Sequence, residues 1–194
     1  ASKDKTARLW EAETGREIAL FEGHSSEVRS AVFSPDGRRV LTAGDQTARL
    51  WDAESGEELA FYEGHFGDLE SAVFSPDGCR ILTASKDETA RLWDADTGKE
   101  LARFEGHSGY VTSAVFSPDG RRILTASGDH TARLWEAASR ARLKACSGFV
   151  ENAVFSPDGR QFLSVWGWTA WLWDADSAKE LAQFVGHSDS VLGA

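Results

Sequence analysis

Histidine recurs in this chain at a fixed place in a repeating pattern: Gly23-His24, Gly64-His65, Gly106-His107 and Gly186-His187. Threonine and aspartate recur with it. A histidine, a hydroxyl and a carboxylate are the residue types of an acyl-transfer triad. The recurrence argues against that chemistry, because a catalytic site occurs once, in one pocket, whereas equivalent copies suit a scaffold. No Ser or Cys sits in a Gly-x-Ser-x-Gly elbow. Asp94-Ala95-Asp96-Thr97-Gly98, with Glu105 at the twelfth place, echoes a calcium loop. Lys99 stands where that loop's sharp turn needs Gly, however, and the residues after it alternate as a strand. No Cys/His spacing suits zinc. The chain reads as non-enzymatic, with no catalytic residues, no metal and no cofactor.

The elements that position these residues follow from one stretch, Gly64 to Glu105, which the chain repeats with small edits. Leu69-Glu70-Ser71-Ala72-Val73-Phe74 predicts a strand, here strand a. Ser75-Pro76-Asp77-Gly78 predicts a tight turn, since Pro presets φ and Gly accepts positive φ. Arg80–Ala84 predicts strand b, Thr89–Trp93 strand c and Glu100–Phe104 strand d, joined by short polar turns. Ser-Pro-Asp-Gly begins at Ser34, Ser75, Ser117 and Ser156, at steps of 41, 42 and 39 residues. A period of about 40–45 residues with Gly-His near one end and Trp-Asp near the other is the signature of a propeller blade. The fold class is therefore all-β, a β-propeller of four-stranded antiparallel blades.

On this template residues 1–22 supply strands c and d only. Residues 23–63, 64–105, 106–144 and 145–185 are full units, and 186–194 supply one more Gly-His and a strand a. Strand b and its turn, the counterpart of Val73 to Thr83, are absent from the end unit. Closing such a unit would leave buried backbone groups unpaired, so the chain reads as a segment of a larger ring, with self-association through the incomplete end blades as a second expectation. Its lack of Met also reads as a piece cut from a longer protein.

Charge and cysteine usage narrow the partners. The net charge is −10, and no basic footprint offers itself to phosphates, so nucleic acid is not expected. No apolar run approaches the ~20 residues that span a bilayer, so no membrane is expected. The only cysteines, Cys79 and Cys146, occupy different places in their units and do not form a recurring pair, which suits a reduced, cytoplasmic setting.

Gly-His, Ser-Pro-Asp-Gly, an Asp just before strand c and Leu-Trp-Asp, recurring in that order, resemble the WD-repeat (Trp-Asp repeat) β-propeller family over essentially the whole chain. The near-identity of the repeats resembles bacterial members. The resemblance implies a hydrogen-bonded set in each blade: His24, Thr42, Asp45 and Trp51; His65, Thr83, Asp87 and Trp93; His107, Thr125, Asp129 and Trp135. The fourth full unit departs from it. Cys146 replaces His and Gly167 replaces Asp, leaving Ser164 and Trp173, while Trp166, Trp168 and Trp171 are gained, the last in place of an Arg. Apolar packing is expected to hold this blade.

What varies between units is as informative as what recurs. The residue before the strand-a apolar position is Glu27, Asp68, Tyr110, Phe149 or Ser190, and the residue after it is Arg29, Glu70, Thr112, Glu151 or Leu192. In a strand each such pair shares a face. The residue before the strand-c turn Asp is Gly44, Lys86 or Gly128, with Trp166 at the matching place. In the family these positions rim the channel mouth, the face most used for partners. Aromatics beside charges fit interaction hot spots. The expected partner-binding residues are Glu27, Arg29, Phe66, Asp68, Glu70, Lys86, Tyr110, Thr112, Phe149, Glu151, Trp166 and Trp168. For Trp166 and Trp168 the other reading is that they fill the hole left by the missing His and Asp. The function expected is a non-catalytic scaffold that binds a protein or peptide on the Gly-His face. The alternatives are a sensor domain of a larger multidomain bacterial signalling or effector protein, and a structural repeat array with no specific ligand.

Overall fold

The computed structural model describes the backbone of residues 1–139, 142–147, 150 and 152–185, and the side chains of these residues except 142–147 and Trp166. It is all-β. A two-stranded sheet of β1 (Thr6–Trp10) and β2 (Glu17–Glu22) comes first. Four four-stranded antiparallel sheets, here blades one to four, follow in chain order. They are β3 (Val28–Phe33) to β6 (Glu58–Tyr62) through β4 (Arg39–Gly44) and β5 (Thr47–Asp52); β7 (Leu69–Phe74) to β10 (Glu100–Phe104) through β8 (Arg80–Ser85) and β9 (Ala90–Asp94); β11 (Val111–Phe116) to β14 (Arg142–Ser147) through β12 (Arg122–Ser127) and β13 (Thr131–Glu136); and β15 (Asn152–Phe155) to β18 (Glu180–Val185) through β16 (Gln161–Trp166) and β17 (Thr169–Asp174). Each strand pairs with its sequence neighbour, the arrangement that hairpin connections dictate. Among the described residues no strand pairs the start of the chain with its end.

Blades pack face to face through alternate residues of strands b and c. Leu41, Ala43 and Leu50 of the first blade meet Leu69, Ala72 and Trp93 of the second, all at most 3 % exposed. The set recurs between the second and third blades with Leu82, Ala84, Leu92, Val111, Ala114 and Trp135. Polar ties reinforce this packing. The Tyr62 hydroxyl donates to the Ala95 carbonyl of the next blade at 2.6 Å. Arg39 donates to the Gly78 carbonyl at 2.9 Å and lies over the Phe74 ring, and Arg80 does the same to Gly120 and Phe116.

Strand a is less regular than simple alternation predicts. Its register shifts between Val28 and Ser30, Leu69 and Ser71, and Val111 and Ser113. A bulge therefore falls on Arg29, Glu70 and Thr112, the variable position after the apolar residue, and a bulge re-aims a side chain.

Candidate functional site

In the second blade the repeated polar residues form a continuous chain. Trp93 Nε1–H donates to Thr83 Oγ1 at 2.9 Å, Thr83 Oγ1 lies 2.8 Å from His65 Nε2, and His65 Nδ1 lies 2.8 Å from Asp87 Oδ2. One proton assignment satisfies every group: indole to hydroxyl, hydroxyl to Nε2, Nδ1–H to carboxylate. The third blade repeats it with Trp135, Thr125, His107 and Asp129 at 2.9, 2.8 and 2.8 Å. In the first blade Trp51–Thr42 and Thr42–His24 are both 2.8 Å, while His24–Asp45 lengthens to 3.3 Å. There Thr47 pairs with Gly44 across a turn of Asp45 and Gln46, which sets Asp45 at φ +37°, a different seat for the carboxylate.

Burial pushes His24 and His65 below their ordinary 6.5, against the pull of their carboxylate partners, so these imidazoles are neutral at pH 7. Burial also pushes the carboxylates up, but their hydrogen bonds outweigh it. Asp129 is held at about 2 by Thr131, His107 and the Ser108 amide, and Asp87 is likewise held well below the usual carboxylate range. A neutral imidazole with both nitrogens occupied, locked to an indole and 4–6 % exposed, has no nucleophile to activate. This set ties strands b and c to the Gly-His turn.

One member escaped sequence reasoning. Arg91 is 2 % exposed and spans Asp87 at 3.5 Å and Glu100 of the outer strand at 2.9 Å. Arg49 reaches Glu58, and Arg133 reaches Asp129. Positive φ explains the glycine before His24, His65 and His107, where the backbone also passes close to the guanidinium. Gly64 has φ +140°, and a Cβ there would meet Arg91 Nη1 at 2.8 Å. The signal was present: each unit with the turn Asp carries Thr-Ala-Arg-Leu-Trp, and the unit with Gly167 carries Thr-Ala-Trp-Leu-Trp.

Among its described residues the fourth blade keeps the link from Trp173 Nε1–H to Ser164 Oγ at 2.9 Å, so it is not held by apolar packing alone as the sequence led us to expect. Phe162 stacks on Trp173 at 6.2 Å, and Gly167 takes φ +54° in the two-residue turn. Trp168 is 59 % exposed and does not fill the hole left by the missing His and Asp. Cys146 does not stand at the histidine's place as the sequence led us to expect: it lies in β14 opposite Ala132, where Phe104 and Tyr62 lie opposite Ala90 and Ala48 in the preceding blades, because the connection to Val150 is shorter here. The side chains of Cys146 and Trp166 lie outside the described residues.

The variable residues divide into two groups. The charged ones engage one another across two blades. Arg29 lies 2.6 Å from Glu27, 2.6 Å from Glu70 and 3.7 Å from Asp68, and Lys86 lies 3.2 Å from Asp68 and 3.5 Å from Glu70. Thr112 is half-buried and donates to the Ala126 carbonyl. The aromatic ones face outward: Phe66 is 83 % and Tyr110 57 % exposed, and Trp168 is exposed as above. The Phe66 amide donates to the turn carboxylate of Asp87, the Tyr110 carbonyl accepts from Gly128, and Trp168 lies in the b–c turn of its blade. All three therefore belong to the Gly-His end of the strands. Phe149 and Glu151 lie outside the described residues.

The opposite end carries a concavity of about 440 Å³ lined by repeated Val-Phe-Ser-Pro segments, including Phe74, Pro76, Phe116 and Pro118. Among the described residues no group of three or more His, Cys, Asp or Glu is placed to hold a metal ion, and no helix is long and apolar enough to cross a membrane.

Comparison with known proteins agrees with this architecture. The family described as WD domain, G-beta repeat matches residues 15–52, 56–94 and 98–136. The nuclear distribution protein PAC1 of Arthroderma benhamiae is 43 % identical over 44 residues, 23 % of this chain and 10 % of that protein. The Lissencephaly-1 homolog of Dictyostelium discoideum is 44 % identical over 43 residues, 22 % of this chain and 10 % of its own. The matched segment thus spans about a tenth of the length of these relatives.

Proposed function

The chain belongs to the WD-repeat family, and from that premise we propose that it is a recognition module whose Gly-His face binds a protein or peptide. Repeats of this family generally mediate protein–protein interaction and typically serve as non-catalytic scaffolds. The single observation that carries the choice of face is the exposure of Phe66, Tyr110 and Trp168 on three successive blades, at positions the polar framework does not use. Exposed aromatics of this kind supply large contact area at low entropic cost. The charged residues Glu27, Arg29, Asp68, Glu70 and Lys86 contribute differently. Already paired, they form a fixed acidic-leaning rim that steers a partner and sets its register more than it adds affinity. Thr112 and Phe149, with Glu151 and Trp166, complete the proposed rim. Neither nucleic acid nor a membrane is the proposed ligand, and the proposed setting is cytoplasmic. The chain is proposed to be a segment of a larger ring, with the three His–Thr–Asp–Trp sets as its structural frame.

A random peptide display library tests this reading. Panning against the wild-type chain, with counter-selection on a variant carrying Phe66→Ala, Tyr110→Ala and Trp168→Ala, should enrich peptides that bind only the wild type. Equal enrichment on both, with the variant's melting temperature unchanged, would remove the aromatic face from the proposal.

A further inference from the structure

The first blade departs from the next two at its b–c turn, and a cavity lies there. Ala43-Gly44-Asp45-Gln46-Thr47 is one residue shorter than Ala84-Ser85-Lys86-Asp87-Glu88-Thr89. In the second and third blades the turn carboxylate has a cation beside it: Arg91 lies 3.5 Å from Asp87, and Arg133 lies 3.4 Å from Asp129. In the first blade Arg49 is taken up by Glu58 at 2.5 Å, and among the described residues no guanidinium or ammonium group pairs with Asp45. Asp45 is ionised all the same. Burial pushes its carboxyl up, but the Ser25 amide, the Thr47 and Ser25 hydroxyls and His24 outweigh that and hold it well below the usual carboxylate range. These donors are neutral, so they satisfy the oxygens without cancelling the charge.

The cavity beside it has a volume of about 520 Å³. Ser25, Asp45, Gln46, Thr47 and Arg49 of the first blade line it, and Asp68 of the second blade closes its far side. Asp68 uses Oδ2 for Lys86 and Arg29. Among the described residues neither its Oδ1 nor the Gln46 side chain has a partner. Arg49 does not set the sign of the cavity, because Glu58 neutralises it. The field inside is therefore negative and the open acceptors are oxygens. One free carboxylate oxygen and one amide are too few for a metal ion, which takes six or more oxygens when hard. They suit a side-chain ammonium or guanidinium, whose several N–H donors can reach both. The cavity also adjoins the exposed aromatics. Phe66, 83 % exposed, stands two residues before Asp68 in the same connection.

We propose that this cavity is the socket for a lysine or arginine side chain of the partner segment, whose neighbouring apolar residue rests on Phe66. The inference rests on the reading of the Gly-His face given above and adds the partner's chemistry to it. The guest cation bonds to Asp68 Oδ1 and the Gln46 amide oxygen and lies in the field of Asp45. It supplies from outside the charge that Arg91 and Arg133 supply to their own turn carboxylates. Charge-assisted hydrogen bonds in a partly enclosed site give such a contact both strength and register.

The probe is the same random display library, panned on the 194-residue chain with counter-selection on Asp68→Asn. The peptides enriched should carry Lys or Arg. The most enriched should bind about tenfold more tightly than a neutral twin in which each Arg is citrulline and each Lys acetyl-lysine. Grafting the second blade's Ser85-Lys86-Asp87-Glu88 in place of Gly44-Asp45-Gln46 should weaken the parent peptide by about tenfold, because Arg49 then gains its carboxylate and the cavity closes. Glu54→Gln, which removes an exposed charge from the opposite end, should leave its affinity unchanged. Enriched peptides without Lys or Arg, a twin that binds as tightly as its parent, or equal losses from Asp68→Asn and Glu54→Gln would each overturn the proposal. The two counter-selections separate the two readings. Enrichment against the Phe66→Ala, Tyr110→Ala, Trp168→Ala variant but not against Asp68→Asn keeps the face and removes the socket. Enrichment of cationic peptides against Asp68→Asn but not against the aromatic variant keeps the socket and removes the aromatic face. Enrichment against neither removes both.

Discussion

The second and fourth blades run through the same strand order and are tied together differently. In the second, Trp93, Thr83, His65 and Asp87 form one hydrogen-bonded chain, and Arg91 joins the carboxylate to Glu100 of the outer strand. In the fourth, among the described residues, the link that remains is Trp173 to Ser164. Gly167 stands where the carboxylate would be and Trp171 where the guanidinium would be, and the unit has no histidine at all. These changes belong together. Without the carboxylate an interior guanidinium would keep only an outer-strand partner, Glu180 at the place of Glu100, and an imidazole would lose its orienting acceptor. The polar set thus behaves as a unit that a blade carries whole or gives up almost whole, and the blade that gave it up displays an exposed tryptophan at the turn.

The comparison can be broken most forcefully at the hydroxyl. Thr83→Val strands both the Trp93 indole and His65 Nε2, and should cost about 2–4 kcal/mol in denaturant unfolding. His65→Ala removes the imidazole partner of the buried Thr83 hydroxyl and one of the donors to Asp87, which keeps the Phe66 amide, and should cost about 1–3 kcal/mol. Ser164→Ala in the fourth blade strands a single indole and should cost only about 1 kcal/mol. A Ser164→Ala cost equal to that of Thr83→Val would dissolve the distinction between the two blades.

Acid should separate them by a smaller margin. His24 and His65 titrate below 6.5 in the folded chain, so as pH falls through that value the unfolded chain takes up protons first. Stability present at neutral pH therefore declines below about pH 6.5. The depressed carboxylates Asp45, Asp87 and Asp129 contribute further stability, fully present above their ordinary 3.8 and lost as pH falls below it. The fourth blade has neither group at these places. Hydrogen exchange between pH 6.5 and 5 should therefore quicken in β7–β10 more than in β15–β18, after correction for intrinsic rates. The smallest effect is expected at the surface: Tyr110→Ala should change stability by no more than about 0.5 kcal/mol, and a larger loss would place Tyr110 in the framework.

Much of this was legible in the sequence, because a repeat compares itself. The strands predicted from Gly64 to Glu105 lie within one residue of β7 to β10, since turn chemistry and period-two alternation point to the same boundaries. Less legible were features that depend on three-dimensional neighbours. Arg91 reads as a solvated strand residue, because nothing local says that the next strand brings Glu100 alongside it. The mutual pairing of Arg29 with Glu70 joins residues 41 apart, on different blades. The bulge at Arg29, Glu70 and Thr112 carries no Gly to announce it. Whether Trp168 fills a hole or faces outward depends on the shape of the gap, which composition does not contain.

The central claim, that partners engage the Gly-His face through its exposed aromatics, is tested most directly by hydrogen-exchange footprinting of the chain bound to a display-selected peptide. The account predicts slowed exchange in the turns around Phe66, Tyr110 and Trp168, with the Ser-Pro-Asp-Gly turns unchanged. Protection confined to those Ser-Pro-Asp-Gly turns, on the rim of the concavity lined by Phe74, Pro76, Phe116 and Pro118, would contradict it and move recognition to the opposite face.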